Sequence, residues 1–168
     1  MNKTLAILLL GVWFSLFPSG WIRVYNLDGT EVKLEDNTTH LIICYSPASC
    51  HECVNDIILF CRNIASTSEN CKCSVLINGE DPMRMHMETS LLEEYLTDTS
   101  DVRILYDSNP KKKKRIFHRK RIQHTPSLLI VDSEKHDHFY SYESLFGDNQ
   151  GFSKCFDEIK RLIEVDVK

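Results

Sequence analysis

Glycine and proline are scarce in this chain, six and five in 168 residues. That excludes a collagen-like fibre and a low-complexity disordered chain, each of which needs far more of them. No internal repeat is visible. Apolar content is ordinary at 42%, so nothing argues against one packed core. Net charge is small at −4, but it is unevenly spread. Residues 111–121 hold eight Lys or Arg, so the rest of the chain sums to −12.

The first 22 residues read as a targeting segment. Lys3 precedes an apolar stretch from Leu5 to Phe17, the layout of a secretory signal. Pro18, Ser19 and Gly20 make a weak cleavage region, and no cysteine is present there to make a bacterial lipoprotein. Extended to Ile22, the stretch reaches the short end of a membrane span. Residues 1–22 are therefore either a cleaved signal peptide or an N-terminal membrane anchor. In both cases residues 23–168 form one domain that leaves the cytoplasm, where disulfide chemistry is permitted. This location also argues against a nucleic-acid partner.

What the chain does have is cysteine, seven in all. Cys50-His51-Glu52-Cys53 follows the apolar run Leu41 to Tyr45, which Ser46-Pro47 ends. Behind the motif, Val54, Ile57, Ile58, Cys61, Ile64 and Ala65 fall on one helical stripe. Ser49 and Glu52 match a capping box, which predicts Ser49 as N-cap and Cys50 in the first turn. Two thiols at a helix N-terminus can form an exchangeable disulfide, and the helix end favours a thiolate. A Cys-x-x-Cys beside a β/α pattern thus points to redox chemistry. A purely structural disulfide at the same positions is the competing reading.

The remaining segments alternate. Ile22 to Leu27 and Glu31 to Leu34, around Asp28-Gly29-Thr30, read as an N-terminal β-hairpin. Ser74 to Asn78, Val102 to Tyr106, Ser127 to Val131 and Phe139 to Tyr142 read as strands. Asp81-Pro82 starts a helix with Leu91, Leu92, Tyr95 and Leu96 on its apolar face. Phe152, Cys155, Phe156, Ile159, Leu162 and Ile163 mark a last helix. This order predicts an α/β fold, a central mixed sheet with helices on both faces.

Taken together, Leu27-Asp28-Gly29, the strand into Cys50 and Cys53, Tyr106-Asp107, and Thr125-Pro126-Ser127 to Asp132 resemble a known pattern. The chain is similar to thioredoxin-fold proteins of the extracytoplasmic TlpA-like group, from Arg23 to the C-terminus. The resemblance implies a thioredoxin-like fold, a cis Pro126, and a Thr125 that offers its backbone to a substrate strand. It also implies protein thiols or disulfides as substrates and a membrane protein as electron donor. No cofactor is implied. Ser49 stands where that group usually has an aromatic residue. His51 and Glu52 fill a motif that often holds proline. A protonated His51 would favour the Cys50 thiolate and Glu52 would oppose it.

Five cysteines remain. Cys44 and Cys155 fall on apolar faces, as small core residues do. Cys61, Cys71 and Cys73 gather around the end of the first helix and the loop after it, where a Cys61 disulfide to either partner would fit. Seven is odd, so at least one thiol stays free or pairs between chains. Cys50, Cys53, Cys71 and Cys73 are the candidates for a zinc site. Against zinc, Cys71 and Cys73 have one residue between them, whereas zinc pairs usually have two or more.

These residues lead to an extracytoplasmic thiol–disulfide oxidoreductase, periplasmic or membrane-anchored. Cys50 is the nucleophile, Cys53 resolves, and the resemblance favours reduction. The alternative is a non-enzymatic binding module with structural disulfides. The basic run 111–121 is either a solvated loop or a means of drawing in acidic substrates or anionic lipid.

Overall fold

The computed structural model describes residues 22–78, 82–96, 102–107, 117, 122, 124–147 and 149–165. Residues 1–22, where a targeting segment is expected, apart from Ile22, and the basic run, apart from Phe117, lie outside these residues.

The chain runs β1 (Val24–Tyr25), β2 (Glu31–Val32), β3 (Thr39–Tyr45), α1 (His51–Ala65), β4 (Cys71–Ile77) and α2 (Pro82–Tyr95). It continues through β5 (Val102–Tyr106), β6 (Ser127–Val131), β7 (Asp137–Ser141), α3 (Tyr142–Phe146) and α4 (Asn149–Val165). The strands form one sheet in the order β2-β1-β5-β4-β3-β6-β7. β3, β4 and β5 are parallel, while β6 and β7 add antiparallel on one side and β1 and β2 on the other.

Every residue of β3 is buried, as a central strand covered on both faces requires. Alternation then divides its side chains. Leu41, Ile43 and Tyr45 join a large cluster with Val54, Ile57, Ile58 and Ile64 of α1, Leu92 of α2, Leu145 of α3, and Ile159 and Ile163 of α4. Ile42 and Cys44 face the other way, into a cluster with Val24, Leu76, Leu105, Leu129 and Phe117, the last in helical backbone. Among the described residues, no helix is long and apolar enough to cross a membrane.

Several expected boundaries move. The N-terminal hairpin keeps only two residues per strand, turned by Gly29 at φ 81°. β4 begins at Cys71, not Ser74, so Cys71 and Cys73 belong to a strand and not to a loop. Both are buried, with exposed Lys72 between them. The segment expected to end in a strand at Tyr142 turns into α3 there, because the Ser141 side chain accepts the Ser144 N–H and caps a helix.

The zinc alternative fails on register. Cys71 lies opposite Thr39 and Cys73 opposite Leu41, at the far end of β3 from the loop that carries Cys50. Cys73 is four residues short of Tyr45, ~13 Å along the strand at about 3.3 Å per residue. Among the described residues, no three His, Cys, Asp or Glu side chains are grouped to hold a metal ion. All seven cysteines are free thiols, including Cys61, Cys71 and Cys73.

Candidate redox site

The parallel strands of this sheet end on one edge, and the Cys50 motif sits just beyond the end of β3. Helix α1 starts one residue later than expected. Cys50, in extended backbone, is the N-cap, and its Sγ accepts the Cys53 N–H at 3.4 Å. Ser49 is turned back instead, its Oγ accepting the Ser46 N–H at 3.1 Å, and it is buried. The hydroxyl that would have capped the helix is thereby spent on the loop, and the first thiol takes its place. The backbone still holds the turn, with the Cys50 carbonyl accepting from Val54 N at 3.1 Å.

Antiparallel pairing brings the second piece in. Because β6 pairs with β3 so that Ser127 faces Cys44, the chain just before β6 lies beside the chain just after β3. Thr125 and Pro126, joined by a cis peptide, occupy that place. The Ser46 and Thr125 hydroxyls hydrogen-bond at 2.7 Å, tying the two loops together across 79 residues of sequence.

The two thiols differ. Cys50 is exposed and Cys53 half-buried. The Cys50 thiol is held below its ordinary range, first by the hydrogen bond from the Cys53 thiol and then by the Cys53 backbone N–H, with Glu52's charge opposing. Cys53 is pushed the other way, chiefly by that same thiol contact, then by burial and by charge on Cys50. A lowered value means that the thiolate persists as pH falls, so Cys50 is expected to react first. Alkylating the reduced protein with iodoacetamide across pH, with peptide mass readout, checks this. Cys50 should be the labelled thiol at mildly acidic pH, and preferential labelling of Cys53 there would contradict it.

Four further residues gather around the motif. Tyr45 Oη lies 3.3 Å from His51 Nε2 and donates to Glu88 of α2. Tyr142, at the start of α3, donates to Asp56 Oδ2 at 2.8 Å, and its influence on Cys53 favours the thiolate, against the stronger effects of the Cys50 thiol and burial. The Tyr142 ring is held by Phe146, centroids 5.0 Å apart, within a group that includes Phe60 and Phe152. Glu88 and Tyr142 are 43 and 86 residues from their partners, beyond any local sequence pattern. Asp56 alone carried a signal, one turn after Cys53.

The other cysteines are set apart from this chemistry. Cys44 is fully buried, and burial followed by the nearby Asp107 charge raises its thiol far above the ordinary range. Cys61 is raised by burial and by Cys73 beside it. Cys155 is half-buried and donates to the Ser144 carbonyl at 3.3 Å.

Neither family models nor curated proteins give a match to the chain. Solved structures do. A thioredoxin-like protein from Porphyromonas gingivalis superposes with a TM-score of 0.60 at 12% identity, covering 86% of this chain and 91% of that one. The thioredoxin domain of a thiol-disulfide oxidoreductase from Bacteroides vulgatus gives 0.57 at 10% identity, over 84% and 92%. A secreted disulfide oxidoreductase from Mycobacterium tuberculosis gives 0.51 at 12% identity, over 85% and 94%. In its fold, the chain is a thioredoxin-like protein.

Proposed function

We propose that the chain is an exported thiol–disulfide oxidoreductase of the TlpA-like group, acting on protein thiols and disulfides through Cys50 and Cys53. The observation that carries this reading is the asymmetry of the pair. An exposed thiol, favoured as thiolate, caps a helix, and a half-buried partner thiol lies one turn further in. Cys50 attacks a substrate disulfide and becomes joined to one of its sulfurs. Cys53 then attacks Cys50, closing the Cys50–Cys53 disulfide and releasing the substrate as a dithiol. Thr125 and Pro126, beside the loop that leads into the thiols, present backbone to the substrate strand. His51, when protonated, modulates the thiolate in its favour and Glu52 against it.

The direction we favour is reduction, which requires a donor to reduce the pair again, a membrane protein with exposed thiols. Export is supported by the apolar stretch Leu5 to Phe17 and by likeness to a secreted oxidoreductase. The test is turnover. Catalytic amounts of the protein, recycled by a small dithiol, should reduce many equivalents of a disulfide-bonded protein per chain. Release of less than one equivalent per chain would favour the non-enzymatic binding module.

A further inference from the structure

We propose that Glu88, acting through Tyr45, holds a protonated His51 beside Cys50 and so keeps the nucleophile reactive in mild acid, an inference that rests on the exchange reading above. The connections β3–α1–β4 and β4–α2–β5 both join parallel strands, and both helices pack into the same core cluster. Helix α2 therefore shares a face of the sheet with α1. Buried Met85 and Leu92 seat it there, and Thr89 is hydrogen-bonded to Tyr106 of β5. Glu88, the residue before Thr89, is half-buried and accepts from Tyr45 Oη. Tyr45 ends β3 with its ring fully buried, and its hydroxyl lies 3.3 Å from His51 Nε2. The tyrosine and histidine ring centroids are 6.2 Å apart. A chain of hydrogen bonds thus runs from a carboxylate on α2 to the first residue of α1.

Charge gives this chain its consequence. A protonated imidazole carries hydrogen on both ring nitrogens, so Nε2 then donates to Tyr45 Oη, whose own proton is directed to Glu88. The positive charge on His51 is balanced by the carboxylate through one buried hydroxyl. It stays next to Cys50, where it favours the thiolate. With the link cut, that charge is less well placed and more screened by water. The other titratable or charged groups around His51 are its chain neighbours Cys50 and Glu52, and Arg84, one turn before Glu88 on α2. Glu52 opposes the Cys50 thiolate. Glu88 differs from it in being tied to the imidazole. Tyr45 and Glu88 act through His51 and are positioning residues.

The readout is the rate at which iodoacetamide alkylates Cys50 in the fully reduced protein, followed by peptide mass at pH 5.5 and pH 8.5. These lie on either side of the ordinary histidine value of about 6.5. Glu88→Gln keeps an acceptor for Tyr45 and removes only the charge. It should slow Cys50 about threefold at pH 5.5. The deficit should close by pH 8.5, where an imidazole is ordinarily neutral and the thiolate forms unaided. Tyr45→Phe, which keeps the ring and removes the link, should show the same profile. In a His51→Asn background, Glu88→Gln should change nothing further. Faster alkylation in Glu88→Gln would make Glu88 a bare negative charge that disfavours the thiolate. Slowing of equal size at both pH values, or slowing that persists with His51→Asn, would make its role merely structural. Each of these results overturns the anchor, and none touches the exchange reading, because alkylation needs no substrate disulfide. Failure of the exchange reading shows separately, as parent protein that labels as expected but turns over no disulfide.

Discussion

Cys53→Ser is expected to stop the exchange halfway, so that the protein accumulates as a disulfide-linked adduct with its substrate. Cys50→Ser should instead form no adduct and fall to the uncatalysed background. The reason lies in the geometry. Cys50 is exposed at the helix start, with its thiolate stabilised by the first-turn N–H, while Cys53 is one turn in and half-buried. Capture needs the first sulfur and release needs the second. A serine hydroxyl at neutral pH replaces neither, since without an activating base it is a poor nucleophile. Non-reducing gels with and without dithiothreitol, after expression of each variant in the native host, read the result. Adducts trapped by Cys50→Ser and absent from Cys53→Ser would reverse the assignment.

Ile57→Ala should cost about 2–5 kcal/mol of stability, whereas Leu59→Ala, two residues away on the same helix, should stay within ~0.5 kcal/mol. Ile57 is fully buried in the cluster that α1 forms with the sheet, so its truncation leaves a cavity in that core. Leu59 is 47% exposed and leaves none. For a chain of this size, such a loss lowers Tm by roughly 5–15 °C. Urea unfolding of both variants checks the contrast. Equal losses would mean that α1 does not pack on the sheet by the face described.

That face was readable in advance. Of the stripe read from helical spacing alone, Val54, Ile57, Ile58, Cys61 and Ile64 are buried and Ala65 is half-buried. The strand before the motif was equally legible, since an uninterrupted apolar run of that length suits a strand covered on both faces. What the sequence concealed were places where side chains chose a partner other than the local default. Ser49 had the right type and spacing for a helix cap, yet its hydroxyl serves Ser46 behind it, and Cys50 caps. Cys71-Lys72-Cys73 reads as loop in sequence, yet its buried, exposed, buried order is that of a strand, and β4 begins there. Tyr142 looked like the end of a strand. Only packing of α3 against the Phe60 group brings its hydroxyl to Asp56, and no local pattern encodes a contact across 86 residues.

The central claim is that Cys50 and Cys53 interconvert as one reversible dithiol–disulfide couple. Native protein is equilibrated in glutathione buffers of graded potential, quenched with acid, alkylated and mapped by peptide mass. The account predicts that Cys50 and Cys53 lose their thiols together, in one two-electron transition lying within the roughly 150 mV spread of this fold. Cys44, Cys61, Cys71 and Cys73, buried in the two cores, should keep theirs throughout. A Cys50–Cys53 disulfide that resists reduction across the series, or oxidation that pairs either thiol with another cysteine, would contradict it.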